Sequence, residues 1–279
     1  MSLKNLIQKY PVSCYFIMAF TISWLGAFIV VAPKLLSGQP IPKMDGILMF
    51  PVMIIGPAVA GITLTAVTDG KTGIRNLRSR MVKWKVSVKW YLIALLIPPC
   101  LIIIVLLFLK NFVSAAFTPN LFPFGILFGV PAGFFEEIGW TGYAIPKMLR
   151  EQSVIKTGIF LGFIWGLWHL PVIDFLGAAS PHGQYWLPFA ASFILAMIAV
   201  RVIIVWVYSN TSSILLAQFI HVISTGSLVV LGPNAVSAAQ EALWYLLYAA
   251  LLWIIVLIIW MTTDRNQKAA IPPFRLQTG

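Results

Sequence analysis

The chain has 279 residues, of which 60% are apolar and only 10% charged, and its formal net charge is +11 at pH 7. These proportions, with a mean hydropathy of +0.92, exclude an ordinary soluble domain and indicate an integral membrane protein. The two cysteines, Cys14 and Cys100, lie in different apolar segments without metal-ligand spacing, so we expect them to pack.

Apolar segments long enough to cross a bilayer follow one another through most of the chain. Segments of about 20 apolar residues predict eight spans, at 11–32, 46–68, 89–109, 121–146, 157–177, 186–208, 211–231 and 241–262. Since the connecting loops are short, we predict one all-α, polytopic membrane domain over residues 1–279, with about eight transmembrane helices. The first span is expected to be a retained helix and not a signal peptide, because no small-residue cleavage pattern follows it.

Lysines and arginines are concentrated in alternate loops. The loop 69–89 carries seven of them against one acid, Asp69, and others lie before span one, between spans four and five, and after span eight. The positive-inside rule therefore places both termini in the cytoplasm, as an even number of spans requires. We expect the plasma membrane of a bacterium or an archaeon.

The net positive charge thus follows membrane topology. We expect the basic loop 69–89 to meet anionic lipid headgroups and not nucleic acid, because no nucleic-acid recognition motif accompanies the cations. Tryptophan, valine and methionine alternate with cations over residues 74–89. This composition favours an interfacial helix in that segment.

Glu136 and Glu137 stand side by side in the otherwise uncharged apolar segment 121–146. The whole chain has only eight acidic residues. A charged side chain at the centre of a membrane helix costs about 2.5–3.5 kcal/mol on insertion scales, so such residues are candidates for function. The position of this pair indicates chemistry inside a membrane.

Two of the three histidines also lie inside predicted spans, His169 in the fifth and His221 in the seventh. At a rise of about 1.5 Å per residue, Glu136 and His221 lie about 16 Å from the cytoplasmic ends of their spans, and His169 about 20 Å. Three helices therefore present ionisable groups at one level. This coincidence of Glu136, Glu137, His169 and His221 favours a functional site over four separate structural roles.

Other polar or bulky residues near this level are expected to have structural roles. His182 falls in a predicted extracytoplasmic loop, where it would be solvated. Asp174 and Arg201 lie nearer span ends, where a long side chain reaches toward the headgroups or forms a structural pair. The tryptophans close to the site are expected to pack: Trp140, Trp165 and Trp168.

Small-residue stripes run into the ionisable groups of spans four and five. Glycines repeat every fourth residue at 125, 129 and 133 in one span and at 158, 162 and 166 in the other. Such stripes let helix backbones approach closely in lipid. If the two stripes face each other, the carboxylates of span four meet His169.

The residue types at this level are those of acid–base hydrolysis. A carboxylate paired with an imidazole deprotonates a water, and a second imidazole with a neighbouring hydroxyl donates to an oxyanion. Ser224 and Thr225 share the helical face of His221. Either glutamate with His169 and His221 would equally suit a two-histidine, one-carboxylate zinc site. A proton-coupled transporter also places such groups at the midplane, although the two halves show no clear repeat.

Three segments, in chain order, resemble the motifs of the CPBP family. This family, also called Abi, comprises CAAX prenyl endopeptidases and bacteriocin-processing or self-immunity proteins. The resemblance covers about residues 80–231, the motif-bearing core, and the first of the three runs is the most specific. The segments are Glu136-Glu137-Ile-Gly-Trp-Thr-Gly-Tyr143, Trp165-Gly-Leu-Trp-His169-Leu-Pro171 and His221-Val-Ile-Ser-Thr225.

The resemblance implies an eight-helix, metal-independent glutamate endopeptidase of membranes, without a cofactor, acting on a peptide or protein substrate. By carry-over, Glu136 and His169 activate water, Glu137 assists or orients, and His221 with Thr225 forms the oxyanion site.

The chain departs from the family motifs at three positions. Thr141 stands where the first motif usually has arginine, and Thr225 where the third has asparagine. Trp165 stands where the second motif commonly has phenylalanine. The two threonines favour an alternative, a non-catalytic self-immunity or scaffolding protein of the same fold, and a zinc-dependent membrane protease is the other alternative.

Overall fold

The computed structural model describes residues 3–39, 41, 43–173, 182–233 and 235–269. Its regular structure is helical, and no β-strand occurs in these ranges, so the predicted all-α class is confirmed. The helices are α1 (Leu3–Lys9), α2 (Pro11–Leu36), α3 (Lys43–Met81), α4 (Val88–Phe112), α5 (Ile126–Gly139), α6 (Ile145–Met148), α7 (Val154–Trp168), α8 (Leu170–Val172), α9 (Trp186–Thr211), α10 (Ile214–Leu231) and α11 (Ala238–Ala269).

Six of the helices are long and apolar enough to cross a membrane: Pro11–Leu36, Ile47–Met81, Val88–Phe112, Gly183–Thr211, Ile214–Leu231 and Ala238–Thr263. They correspond to six of the eight predicted spans. The other two predicted spans, the fourth and fifth, are interrupted helices, and residues 174–177 of the fifth lie outside the described residues. Both interruptions occur next to the residues predicted to form the site.

The fourth span is interrupted by a π-helical turn, Trp140–Ala144, between α5 and α6. Glu136 and Glu137 lie in the last turn of α5, immediately before it. Single π-helical turns inside α-helices occur frequently at functional sites. The turn is supported from outside, since Arg80 donates a 2.9 Å hydrogen bond to the carbonyl oxygen of Gly142.

The fifth span is interrupted at His169. Helix α7 ends at Trp168, His169 caps it, and the short helix α8 follows. Pro171 explains the break, because its ring removes a backbone N–H and clashes with the preceding helical turn. His169 therefore stands at a helix end and not within a straight span.

Helix α3 turns at Gly70, where φ is +60°. A residue without Cβ adopts this left-handed region at little cost. The part of the helix before Gly70 runs through the membrane-length segment, and the part after it carries the cations of the basic loop. Helical structure ends at Met81 and resumes at Val88, so the interfacial helix predicted over 74–89 forms only in its first half.

The two glycine stripes do not face each other, contrary to the prediction. A Cβ at Gly133 would lie 2.7 Å from the carbonyl oxygen of Gln218, so the stripe of α5 packs on α10. A Cβ at Gly162 would lie 2.6 Å from Cα of Ile198, so the stripe of α7 packs on α9. Spans four and five are thus brought together through two other helices.

His182 is buried, contrary to its predicted exposure in a loop. Its ring stacks on Phe189 with 3.8 Å between the ring centroids. Its Nε2 lies 3.1 Å from Oε2 of Glu241 at the start of α11. The pair ties the segment before α9 to the last long helix.

Candidate active site

The carboxylate of Glu137 is the centre of a buried polar cluster. Nη1 of Arg201 donates to both of its oxygens, at 2.8 and 2.9 Å. Nδ1 of His221 lies 2.8 Å from Oε1, and the hydroxyl of Thr141 donates to Oε2. Helices α9 and α10 and the π-helical turn therefore converge on one side chain of α5. Because Glu137 accepts the Nδ1 proton of His221, Nε2 is the ring nitrogen left for other partners.

Arg201 was expected near a span end, and the structure instead shows it fully buried within α9. Its guanidinium carbon lies 4.0 Å from the ring centroid of Trp165, a cation–π contact. Of the two alternatives considered for this residue, reaching toward the headgroups is wrong and pairing with another charge is confirmed. The depth of Arg201 along α9 is the sequence signal that indicates this pairing. Arg201 lies about 15 Å from the helix end at Thr211, which is the depth of Glu136 in its own span.

Trp165 connects Glu136 to His169. Its indole N–H donates a 2.8 Å hydrogen bond to Oε2 of Glu136, and its carbonyl oxygen lies 2.8 Å from Nδ1 of His169. A carbonyl oxygen only accepts, so Nδ1 of His169 carries a proton and Nε2 has the free lone pair when the ring is neutral. Trp165 therefore orients both groups, and the prediction that it only packs is incomplete.

Glu136, His169, His221, Ser224 and Thr225 line one cavity of about 360 Å³. The rest of the lining is apolar, and aromatic side chains from several helices contribute to it. Glu136 and His221 are each 1% exposed, so little solvent reaches these polar groups. Glu137, at 0% exposure, is not among the lining residues and lies behind His221.

The predicted site residues therefore divide into two layers. Glu136, His169, His221 and Thr225 meet at the cavity, and the first three of them were predicted to lie at one depth. Glu137 forms a second layer with Thr141, noted as a departure from the first motif, and with Arg201, which was expected nearer a span end. Asp174 lies outside the described residues.

The other two tryptophans pack, as predicted. The indole nitrogens of Trp140 and Trp168 are buried, and neither has a hydrogen-bond partner among the described residues. The two rings meet edge to face, with 6.1 Å between their centroids. Trp165 thus differs from its neighbours by its contact with a carboxylate.

The described residues contain no group of three or more histidine, cysteine, aspartate or glutamate side chains arranged to hold a metal ion. Nδ1 of His169 and Nδ1 of His221 are already committed to an oxygen of the protein. Nε2 of both rings is left for further partners, so the zinc alternative is tested by chelation.

The fold and the site together define a polytopic membrane protein with two layers of carboxylate and imidazole groups around an apolar cavity. Residues 118–226 match the family model described as "Type II CAAX prenyl endopeptidase Rce1-like". All four residues that meet at the cavity fall in this range. This match supports the resemblance to the CPBP family seen in the motifs.

One curated relative is "CAAX prenyl protease 2" of Methanococcus maripaludis, which is 34% identical to this chain over 95 residues. The matched stretch covers 32% of this chain and 34% of the relative. The similarity thus spans about a third of the relative's length.

Proposed function

We propose that this protein is a metal-independent intramembrane endopeptidase in which Glu136 activates the attacking water. One observation carries the proposal: Glu136, His169, His221 and Thr225, from three helical segments, meet at one largely apolar cavity. A buried carboxylate that shares an apolar cavity with two imidazoles suits hydrolysis by a bound water. The family match and the archaeal relative support the same reaction class.

In the first step, a water held between Glu136 and Nε2 of His169 attacks the scissile carbonyl carbon. Its proton passes to Glu136 as the new C–O bond forms, and the carbonyl oxygen becomes an oxyanion. Trp165 supports both partners of the water, because it donates to Glu136 and accepts from His169. Orientation of this kind is worth several kcal/mol of the activation barrier.

The oxyanion is stabilised by donors on α10, where His221 and Thr225 stand one helical turn apart. Glu137 accepts from Nδ1 of His221 and so directs Nε2 toward the cavity. When the His221 ring is doubly protonated, its Nε2–H donates to the oxyanion, as does the hydroxyl of Thr225. In the second step the C–N bond breaks and Glu136 returns its proton to the leaving amine, which yields one carboxylic acid and one amine. The acid then loses its remaining proton to the amine, which leaves a carboxylate and an ammonium group.

The lining of the cavity indicates an apolar peptide segment as the substrate. The wall residues include Phe50, Phe122, Phe128, Met197 and Tyr245. Aromatic and methionine side chains suit a long apolar chain. The names of the matched family and of the relative both refer to prenyl peptides, so we extend the proposal to a prenylated peptide.

The test is cleavage of an internally quenched peptide that ends in a farnesylated C-a-a-X sequence, with the same peptide lacking the farnesyl group as a control. We expect the wild-type chain in proteoliposomes to cleave the farnesylated probe, and Glu136→Gln to be inactive while remaining folded. Equal cleavage of both probes would remove the prenyl group from the proposal. Cleavage of neither, together with unchanged membrane proteomes in cells carrying Glu136→Ala, would overturn it.

We also propose that anionic lipid binds the basic segment 69–89. Lys71, Arg75 and Arg78 are exposed on the helical part of this segment. Trp84 is 63% exposed in the irregular part, and Nζ of Lys85 lies 5.5 Å from its ring centroid. Exposed cations beside an exposed tryptophan suit the headgroup region of the cytoplasmic leaflet. The test measures how strongly soluble peptides of residues 69–89 bind to vesicles with and without phosphatidylserine. Peptides that lack the cations serve as the control.

A further inference from the structure

We infer that Arg201, on α9, is the positioning residue for Glu137 and supplies the cation that the family motif carries at position 141. The inference rests on the proposed function. It concerns a residue that neither the motifs nor the matched relative assigns.

Position 141 and Arg201 converge on the same carboxylate. The hydroxyl of Thr141 donates to Oε2 of Glu137, while Nη1 of Arg201 lies 2.8 and 2.9 Å from the two oxygens. A longer, cationic side chain at position 141 would therefore reach the space that the guanidinium occupies. A positive charge can therefore reach the carboxylate of Glu137 from position 141 or from position 201. In this chain it comes from position 201.

The helix packing is adapted to bring Arg201 to this place. A Cβ at Gly162 would lie 3.0 Å from Cβ of Arg201, so the glycine lets α9 approach α7 at this level. One turn further along α7, Trp165 offers its ring face to the guanidinium at 4.0 Å. Among the lysines and arginines whose side chains the structure describes, Arg201 alone is buried.

The pairing acts on the proposed reaction through His221. Glu137 holds Nδ1 of His221 at 2.8 Å, and Arg201 holds Glu137. Without the guanidinium, the carboxylate loses its arginine partner and is free to turn away from the ring. The orientation of Nε2 toward the cavity would then be lost. Arg201 is therefore placed to affect turnover more than substrate affinity.

The experiment compares four variants of the full chain in proteoliposomes with the farnesylated probe. Arg201→Met should lower kcat about a hundredfold, the effect expected when a reacting group is displaced by about 1 Å, with KM unchanged. Arg201→Lys should lose less. Thr141→Arg combined with Arg201→Ala moves the cation to the family position and should recover most of the lost kcat. Glu137→Gln with Arg201→Met removes both charges, and should recover thermal stability but not kcat.

A spectroscopic readout separates this inference from the proposed function. The chain has only three histidines, so ¹⁵N-histidine NMR with His169→Gln and His182→Gln variants identifies the ring signals of His221. Arg201→Met should shift them, and Thr141→Arg with Arg201→Ala should restore them, whether or not any probe is cleaved. An inactive wild type with this NMR pattern overturns only the proposed protease. An active wild type with unchanged kcat and His221 signals in Arg201→Met overturns the positioning role. If Arg201→Met does not fold, Thr141→Arg with Arg201→Ala takes its place. A folded double variant whose His221 signals differ from those of the wild type would also overturn the positioning role.

Discussion

The indole N–H of Trp165 donates a 2.8 Å hydrogen bond to Oε2 of Glu136. The same tryptophan contacts the rings of both site histidines, with centroid distances of 4.9 Å to His169 and 5.1 Å to His221. A residue that the sequence presents as apolar packing thus contacts Glu136, His169 and His221. Its family counterpart, phenylalanine, has no N–H to donate.

The first prediction separates the hydrogen bond of Trp165 from its bulk. Trp165→Phe should lower kcat about tenfold or more, because a hydrogen bond to a charged group contributes about 1.5–3 kcal/mol. Trp168→Phe is the matched control: Trp168 is also buried in a helix beside His169, but its indole N–H has no partner among the described residues. The control should retain turnover. Equal losses in the two variants would show that Trp165 matters only for packing.

The second prediction distinguishes the two glutamates. Glu136→Ala and His169→Ala should each abolish cleavage while the protein stays folded, since the water needs both partners. Glu137→Ala should cost less activity than Glu136→Ala but more stability, about 3–5 kcal/mol of the free energy of unfolding, because it leaves a buried arginine unpaired. Turnover and thermal unfolding in detergent measure both effects. Greater stability loss in Glu136→Ala would mean that the two layers have been assigned in reverse.

The sequence predicts the level of the site well. A helix advances by a fixed rise per residue, so counting from the charged ends of the spans places Glu136, His169 and His221 at one depth. The structure brings these three to one cavity. The class of the protein follows from the same reasoning, because the number of apolar residues per span is set by bilayer thickness.

Counting residues along a helix does not predict which other helices it packs against. A glycine stripe indicates that some backbone comes close, but it does not identify which one, and here the partners of the stripes are α10 and α9. The depth of Arg201 was predicted wrongly for a related reason. A cation in a span is compatible with either a nearby headgroup or a distant carboxylate, and only the assembled bundle decides between them.

The third prediction tests which helices the glycines join. Gly133→Ala and Gly162→Ala should each lower stability by about 1–3 kcal/mol, since each added Cβ meets backbone atoms. Gly166→Ala is a milder control, because its Cβ would lie 3.2 Å from a side-chain atom of Ile194. The double variant Gly133→Ala with Gly162→Ala should lose the sum of the single losses, as expected for separate interfaces. A markedly smaller combined loss would indicate that the two stripes share one interface.

The fourth prediction concerns metal. Incubation with 1,10-phenanthroline or EDTA followed by desalting should leave cleavage of the probe unchanged, because the proposed mechanism activates the water with Glu136 and His169 and no metal ion. Added zinc should not stimulate the desalted enzyme. Loss of activity on chelation, restored by zinc but not by magnesium, would revive the two-histidine, one-carboxylate alternative.

The last prediction concerns Thr225, which stands where the family motif has asparagine and lies on the wall of the cavity with His221. Thr225→Val removes the hydroxyl at nearly constant shape. If the hydroxyl donates to the oxyanion, kcat should fall about a hundred- to a thousandfold, the usual cost of one such donor. Thr225→Ser should lie between wild type and Val, and Thr225→Asn should be tolerated because its amide also donates.

Two comparisons make the assignment of Thr225 decisive. His221→Ala with Thr225→Val should lose less than the product of the separate fold losses, since both residues act on one oxyanion. Ser224→Ala serves as the neighbour control, because this hydroxyl lines the same cavity from the same helix. If Thr225→Val equals wild type and Ser224→Ala does not, the donor is Ser224. The departure from the family motif would then have moved the oxyanion donor by one residue along α10.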